Sequence, residues 1–299
     1  WYSLFLGIMR KNRIALAWPG AALALGSAAL FGASTPLAKL LLGSGVGPLL
    51  LAGLLYLGSG VGIAAFFLAR RSLSRLKIEA PLNRADLPWL GLVILTGGVA
   101  GPILLVFGLA RTDASAAALL LNLEGLATMA IAWLAFHENV DRRIFAGAVS
   151  ILTGALLLSW QGGPGRPGWG ALLIAAACFA WGIDNNLTRK LSSSDPVQIA
   201  MVKGLVAGTV NLSLALARGT KLPTAGSLTG AAVVGFFGYG ISLVFFVLAL
   251  RYLGSARTGA YFSTAPFIGA TLAVLIFGDP ITGRLVAAAS SRKMGTRSG

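Results

Sequence analysis

Six long stretches of this 299-residue chain contain no Asp, Glu, Lys or Arg. Each is at least 21 residues long, and about 20 apolar residues span the ~30 Å hydrocarbon core of a bilayer as a helix. Strands of a membrane β-barrel would instead show alternating segments of about 10 residues, and nothing here alternates. The stretches therefore predict an all-α integral membrane protein; they are 14–38, 40–69, 87–110, 144–165, 222–250 and 258–278.

Composition excludes several other classes of protein. Hydrophobic residues make up 56% of the chain and charged residues 11%, too little charge to cover a water-soluble domain of this size. The net charge of +15 does not indicate nucleic-acid binding, because the basic residues are scattered along the flanks of the apolar stretches. With one cysteine, Cys178, and one histidine, His137, we expect no intramolecular disulfide, no metal site and no cofactor.

Nine membrane spans are predicted, at about 19–42, 47–69, 87–109, 114–136, 144–160, 168–190, 196–217, 226–250 and 255–278. If the N-terminus is cytoplasmic, 14 Lys and Arg residues fall in cytoplasmic segments and five fall outside. Positively charged loops are preferentially retained in the cytoplasm. We therefore predict a multi-pass protein of the inner or plasma membrane with a cytoplasmic N-terminus.

The chain also contains an internal repeat. A shift of 141 residues places Gly97 on Gly238 and Val106 on Val247, and a shift of 150 places Phe31-Gly32 on Trp181-Gly182. With five spans per copy, an odd number, the second copy enters the membrane in the opposite orientation. Inverted repeats of this kind build transporters whose substrate site lies at the repeat interface near the bilayer midplane.

Three short patterns resemble a known family. They are AALFG at 28–32, LARTDASA at 109–116, and Ala265-Pro266 followed by Gly278-Asp279-Pro280. Over about 19–289 the chain resembles the drug/metabolite transporter superfamily and, within it, the EamA-type ten-helix transporters, some of which export aromatic or other amino acids. The resemblance implies two inverted repeats of five helices around a central cavity, lined by the first four helices of each repeat.

The sequence departs from that family in two places. The family often has Glu-Pro in the fourth helix, where this chain has Glu124-Gly125, while Pro266 keeps the proline in the second repeat. After Arg284 only five apolar residues, 285–289, precede a basic tail. The tenth helix is therefore expected to be truncated or replaced. The expected divisions are an N-terminal cytoplasmic or interfacial segment 1–18, repeats at 19–163 and 164–289, and a tail at 290–299 that is native or derives from cloning.

Charged residues within the spans are the candidate site residues. Moving a charge to mid-membrane costs at least about 2.5 kcal/mol, so each such residue needs a reason to be there. The set comprises Glu124 with Asn122, Asp184 with Asn185, and Lys203. In one interpretation they line a polar substrate cavity, where a carboxylate accepts an amino group or a proton and Lys203 pairs with a substrate carboxylate. In the other, Lys203 forms a fixed ion pair with Asp184 or Glu124 that holds helices together.

Four aromatic residues lie within or near the ends of the spans that would line the cavity: Tyr56, Trp181, Tyr239 and Tyr261. Such rings suit stacking on a planar substrate or cation–π contact with an ammonium group. The alternative is that they belong to the aromatic belts at the membrane surface, as expected for Trp18, Trp89, Trp160 and Trp169.

The sequence therefore predicts a secondary transporter, not an enzyme, that exports small organic solutes by alternating access. By family resemblance the substrates would be amino acids or related metabolites, and no nucleotide-binding motif indicates ATP as the energy source. Efflux of hydrophobic cations is the first alternative, although a buried Lys203 argues against it, because a like charge repels such substrates. An intramembrane enzyme and an inactive truncated copy are the others. The expected partners are the small-molecule substrate and the lipid bilayer. We expect a monomer, with oligomers left open.

Overall fold

The structure, a computed structural model, describes residues 2–72, 80–136, 153, 168–253 and 255–278. Within these ranges every regular element is a helix. The predicted all-α class is therefore confirmed. The predicted fifth span at 144–160 and the segment after Gly278, which includes the apolar run 285–289 and the tail 290–299, lie outside the described residues.

Among the described residues, the first repeat has six α-helices. The third span of the sequence prediction comprises α3, a π-helical segment (Ile94–Ala100) and α4. A single turn of 3-10 helix, Arg84–Asp86, precedes it. The α-helices of this repeat are α1 (Tyr2–Gly43), α2 (Pro48–Ser72), α3 (Leu87–Val93), α4 (Gly101–Leu109), α5 (Ala114–Leu120) and α6 (Asn122–Phe136).

The second repeat follows the same order. Its third span comprises α9, a second π-helical segment (Phe236–Ile241) and α10. The helices are α7 (Trp169–Leu191), α8 (Pro196–Ala217), α9 (Ala225–Gly235), α10 (Ser242–Leu253), α11 (Ser255–Phe262) and α12 (Ala265–Phe277).

Seven of the described helical stretches are long and apolar enough to cross a membrane. They correspond to the predicted spans one to four and six to eight. The predicted ninth span, 255–278, is two shorter helices, α11 and α12, separated at Ser263 and Thr264. Pro266 explains the interruption, since a proline has no N–H to donate and its ring disfavours the preceding helical turn.

The fourth span is interrupted at the matching place. Helix α5 ends at Leu120 and α6 begins at Asn122, and a shift of 141 residues carries this break to 261–263, next to the one before α12. No proline causes it here; instead the Asn122 side chain donates to the Leu119 carbonyl at 2.8 Å. The π-helical segments also match, since Gly97 and Gly238 lie inside them. The repeat found in the sequence is thus also a repeat of local structure.

The two repeats pack reciprocally. Helix α1 contacts α10 and α12 of the second repeat, and α7 contacts α4 and α6 of the first. The most extensive contact joins the two second helices, α2 and α8. Gly60 and Gly204 face each other there so closely that neither has room for a side-chain carbon. Small residues allow such close approach of helix backbones in membranes.

The outer surface carries many large apolar side chains. Large side chains such as Leu68, Leu275 and Trp169 are exposed around the helices, which is the surface expected of helices surrounded by lipid. An apolar groove of about 390 Å³ lies on this surface between α2 and α9, lined by Val61, Val233 and their neighbours. None of the predicted site residues lines it.

Candidate functional site

A buried ion pair lies at the contact between the repeats. Lys203 of α8 donates from Nζ to Asp184 Oδ2 of α7 at 2.5 Å, and their side chains are 4% and 6% exposed. The Thr188 hydroxyl, one turn further along α7, donates to Asp184 Oδ1 at 3.2 Å. Of the two partners considered for Lys203, the structure places Asp184 against it.

Glu124 has a different environment. It lies in the first turn of α6 and is 9% exposed. Its Oε1 accepts a hydrogen bond from Asn185 Nδ2 at 2.9 Å, and the same Nδ2 reaches the Thr128 hydroxyl at 3.2 Å. In the part of the chain that the structure describes, Asp184 and Lys203 form an ion pair and Glu124 is held by a neutral amide. Two buried carboxylates on facing helices therefore differ: one is neutralised and one is not.

Asn122 marks the break before α6. Its Nδ2 donates to the Leu119 carbonyl, whereas its buried Oδ1 has no partner among the described residues. Asn186, which follows Asn185, instead joins α6 and α7 by donating to the carbonyls of Thr128 and Gly182 at 3.0 and 2.8 Å. Asn186 thus bridges α6 and α7 through backbone carbonyls, whereas Asn185 contacts the Glu124 carboxylate.

The π-helical segment of the first repeat packs directly against the ion pair. The Gly101 N–H bonds to the Thr96 carbonyl, the i→i+5 pattern of a π-helix. Pro102 has no N–H. The carbonyls of Gly97 and Gly98 consequently lack their i+4 donors, and a buried carbonyl without a donor is unfavourable.

Side chains from three other helices satisfy these two carbonyls. The Tyr56 hydroxyl and the Trp181 indole N–H both donate to the Gly97 carbonyl, at 2.6 and 2.9 Å. Asn211 Nδ2 of α8 donates to the Gly98 carbonyl at 3.0 Å. The polar atoms of Tyr56 and Trp181 are therefore engaged with the protein backbone, and their rings are the parts that remain for other contacts.

An aromatic cluster surrounds Phe31. Its ring centroid lies 5.7 Å from that of Trp181, 5.9 Å from Tyr239 and 5.5 Å from Phe262. Tyr239 in turn lies 5.2 Å from Tyr56. These edge-to-face and tilted contacts are favourable arrangements of aromatic quadrupoles.

The structure brings together most of the predicted site residues and separates one. Glu124, Asn185, Asp184 and Lys203 form the polar part. Tyr56, Trp181 and Tyr239 form the aromatic part. Asn122 lies at the start of α6, close in sequence to Glu124. Tyr261 is 39% exposed, and its neighbour Phe262 contacts the cluster instead.

Sequence reasoning missed Phe31, Phe262, Gly97 and Asn211. The repeat alignment held the signal for Phe31, because it places Phe31 on Trp181, a residue that the sequence analysis did select. The two equivalent rings contact each other at the repeat interface. For Asn211 the sequence holds no comparable signal, since its role depends on a carbonyl freed on another helix.

No group of three or more His, Cys, Asp or Glu side chains that could hold a metal ion occurs among the described residues. Chemically, the arrangement offers a buried carboxylate, a neutralised ion pair and aromatic faces. It offers contacts suited to binding a small charged or aromatic solute.

Comparison with known proteins gives concordant matches. The sequence profile of the EamA-like transporter family matches residues 18–160 and 168–290. An uncharacterized transporter of Methanothermobacter thermautotrophicus is 31% identical over 269 residues, covering 84% of this chain and 77% of the relative. The uncharacterized inner membrane transporter YedA of Escherichia coli (strain K12) is 24% identical over 238 residues, or 79% of this chain and 76% of YedA.

A solved crystal structure, described only as that of a protein, has a similar fold. Its TM-score is 0.68 at 22% identity, over 92% of this chain and 96% of the solved one. The similarity extends over nearly all of both chains. At this identity it supports the fold alone.

Proposed function

Since this chain belongs to the EamA-like transporter family and is a multi-pass membrane transporter, we propose that it exports amino acids or related small metabolites by alternating access. Glu124 binds the amino group of the solute. The observation that carries the proposal is the difference between the two buried carboxylates. Asp184 is neutralised by Lys203, and Glu124 is held by the Asn185 amide.

The proposal has an electrostatic basis. An ion pair taken as a whole is neutral, so Glu124, when ionised, gives the region a net negative charge. Away from water a unit charge interacts with an opposite charge more strongly than in solution. An ammonium group that reaches Glu124 would add to the hydrogen bond the attraction of an opposite charge, which the neutral Asn185 amide does not supply.

The aromatic cluster indicates what kind of organic body the solute would have. Tyr239 and Trp181 are buried; Tyr239 lies between the rings of Phe31 and Tyr56, and Trp181 contacts the ring of Phe31. Aromatic rings in such a place favour apolar or planar side chains on a substrate. A solute with an amino group and an aromatic or aliphatic body fits both parts of the region.

Export of hydrophobic cations is a second candidate, and one observation favours it. A free Lys203 would repel a cation, but Lys203 is paired with Asp184. The charge that a cation would meet is then that of Glu124. The two candidates differ in whether a carboxylate on the solute is needed for transport.

The test is counterflow in proteoliposomes with labelled phenylalanine, threonine and a quaternary ammonium cation. Each solute is tested with the unchanged chain, with Glu124→Gln, and with Asp113→Asn as a control on an exposed loop carboxylate. The proposal expects saturable exchange of an amino acid, lost in Glu124→Gln and retained in Asp113→Asn.

Other outcomes separate the alternatives. Exchange of the cation alone would move the protein to cation efflux. Amino-acid exchange unaffected by Glu124→Gln would remove Glu124 from the mechanism. If none of the three solutes moved, the proposed substrate class would be wrong for this chain.

A further inference from the structure

The ion pair packs against two consecutive glycines of the opposite repeat. Gly97 packs against the Asp184 carboxylate so closely that it has no room for a side-chain carbon. Gly98 packs against Ala207 and the side chain of Lys203. Consecutive residues of one π-helical segment therefore contact the two partners of the pair.

Each of these glycines also accepts a hydrogen bond from the helix that carries the adjacent charge. Trp181, three residues before Asp184 on α7, donates to Gly97. Asn211, eight residues after Lys203 on α8, donates to Gly98. Residues three, four or eight apart lie along one side of a helix. Helix α7 is thus fixed to the Gly97 carbonyl within one turn of Asp184, and α8 to the Gly98 carbonyl about two turns beyond Lys203.

The carbonyls are available because of Pro102. In a regular helix the N–H of residue 102 would bond to the Gly98 carbonyl, but a proline has none. The second repeat has Leu243 at the position that follows from the 141-residue shift. Of the two π-helical segments, the one in the first repeat combines freed carbonyls with a proline.

We propose that Asn211 and Trp181 are positioning residues that set the separation of Asp184 and Lys203 by anchoring α8 and α7 to the carbonyls of Gly98 and Gly97. Tyr56 is a second donor at Gly97. The proposal rests on the function proposed above, in that the pair borders the solute site. It assigns the polar atoms of Trp181 and Tyr56 to the backbone, so these atoms do not bind the solute.

Asn211 allows the cleaner test. It is fully buried, and its Oδ1 has no partner among the described residues, so the bond to Gly98 is the one hydrogen bond that its amide makes in this part of the chain. Asn211→Leu removes that bond at similar size. It leaves the Gly98 carbonyl buried without a donor, which destabilises the protein.

Pro102→Ala distinguishes two roles of the Asn211 hydrogen bond: holding α8 in place, and giving the buried Gly98 carbonyl a donor. In the i→i+4 register of α4, which begins at Gly101, the new N–H can bond to the Gly98 carbonyl. In Asn211→Leu/Pro102→Ala the carbonyl is satisfied again, but α8 is no longer held to it. We expect the melting temperature in detergent to recover toward that of Pro102→Ala alone, while the transport rate remains at least about tenfold reduced, as displacements near 1 Å cause.

The comparison includes a matched buried amide. Asn186 also donates to buried carbonyls, those of Thr128 and Gly182, so Asn186→Leu should lower the melting temperature as well. Pro102→Ala should not restore it. Recovery of both melting temperature and transport in Asn211→Leu/Pro102→Ala would overturn the positioning role, as would normal transport in Asn211→Leu alone.

A measurement without solute keeps this proposal separate from the proposed substrate class. Lys203→Met should lower the melting temperature less in the Asn211→Leu background than in the unchanged chain, because the pair is already displaced. An equal decrease in melting temperature in the two backgrounds would contradict the positioning role even if transport is seen. If the losses differ but no amino acid moves, the substrate class fails and the positioning role stands. Should Asn211→Leu not accumulate in membranes, the same comparison is made with Asn211→Ser, which retains a short hydroxyl donor.

Discussion

At the scale of single residues, the charged groups in the membrane spans have different partners. Lys203 and Asp184 neutralise each other, and Glu124 contacts the neutral amide of Asn185. Leaving one member of a buried pair without the other is much less favourable than removing both. Stability measurements on single and double variants therefore test whether the pair is as close as the structure places it.

We expect Lys203→Met to lower the free energy of unfolding by about 3–5 kcal/mol, because it leaves the Asp184 carboxylate buried and unpaired. Asp184→Asn/Lys203→Met should recover most of this loss, since no net charge remains buried. Thermal unfolding in detergent measures both, with Lys221→Met, at an exposed position, as the control. A double variant no more stable than Lys203→Met would show that the two side chains do not neutralise each other.

At the scale of helices, irregular segments recur at matched positions of the repeat. The fourth span breaks before Asn122 and the corresponding second-repeat span before Ala265. π-helical segments occupy both third spans. Non-helical or loosely wound backbone at membrane depth is tolerated where protein buries it, and here other helices do so. In contrast, α2 and α8 are both uninterrupted α-helices where they cross.

Gly204→Ala should weaken that crossing. A methyl group at Gly204 would meet the backbone of Gly60 on α2, and overpacking of this kind costs about 1–3 kcal/mol. Gly91→Ala is the matched change, because no atom outside the helix's own backbone lies within 4 Å of its added carbon. We expect a lower melting temperature for the first variant and an unchanged or slightly higher one for the second, since alanine favours a helix more than glycine does. Equal values would mean that α2 and α8 lie further apart.

At the scale of the whole molecule, the two repeats contact each other reciprocally, most extensively through α2 and α8. Exposed small residues at two helix ends allow the orientation of the helices across the membrane to be tested. Ser44 follows α1, and Ser193 follows α7. With a cytoplasmic N-terminus and a fifth span that crosses, these two positions lie on opposite sides of the bilayer.

We predict that a membrane-impermeant maleimide added to intact cells labels Ser44→Cys and not Ser193→Cys. The background is Cys178→Ser, since Cys178 is buried and is the one native cysteine. Permeabilised cells should show both positions labelled. Labelling of Ser193→Cys alone would reverse the orientation. Labelling of both in intact cells would mean that segment 144–160 does not cross the membrane.

The sequence by itself determined the membrane class, the repeat and the buried charged residues. These follow from local properties: the length of an apolar stretch against bilayer thickness, and the free energy of placing a charge among apolar neighbours. The boundaries of α2, α7 and α8 lie within a few residues of the predicted spans for the same reason. The interruption near Pro266 could also have been predicted, since proline cannot continue a regular helix.

Only the tertiary structure decided which of these residues meet. Successive residues of a helix turn by about 100°, so Phe262 faces the aromatic cluster while Tyr261 does not. The pairing of Lys203 with Asp184 depends on how far α7 and α8 are rotated and where they cross the π-helical segment. The partners of Asn211 and Trp181 are backbone carbonyls. Every residue has such a group, so these contacts cannot be recognised from a sequence.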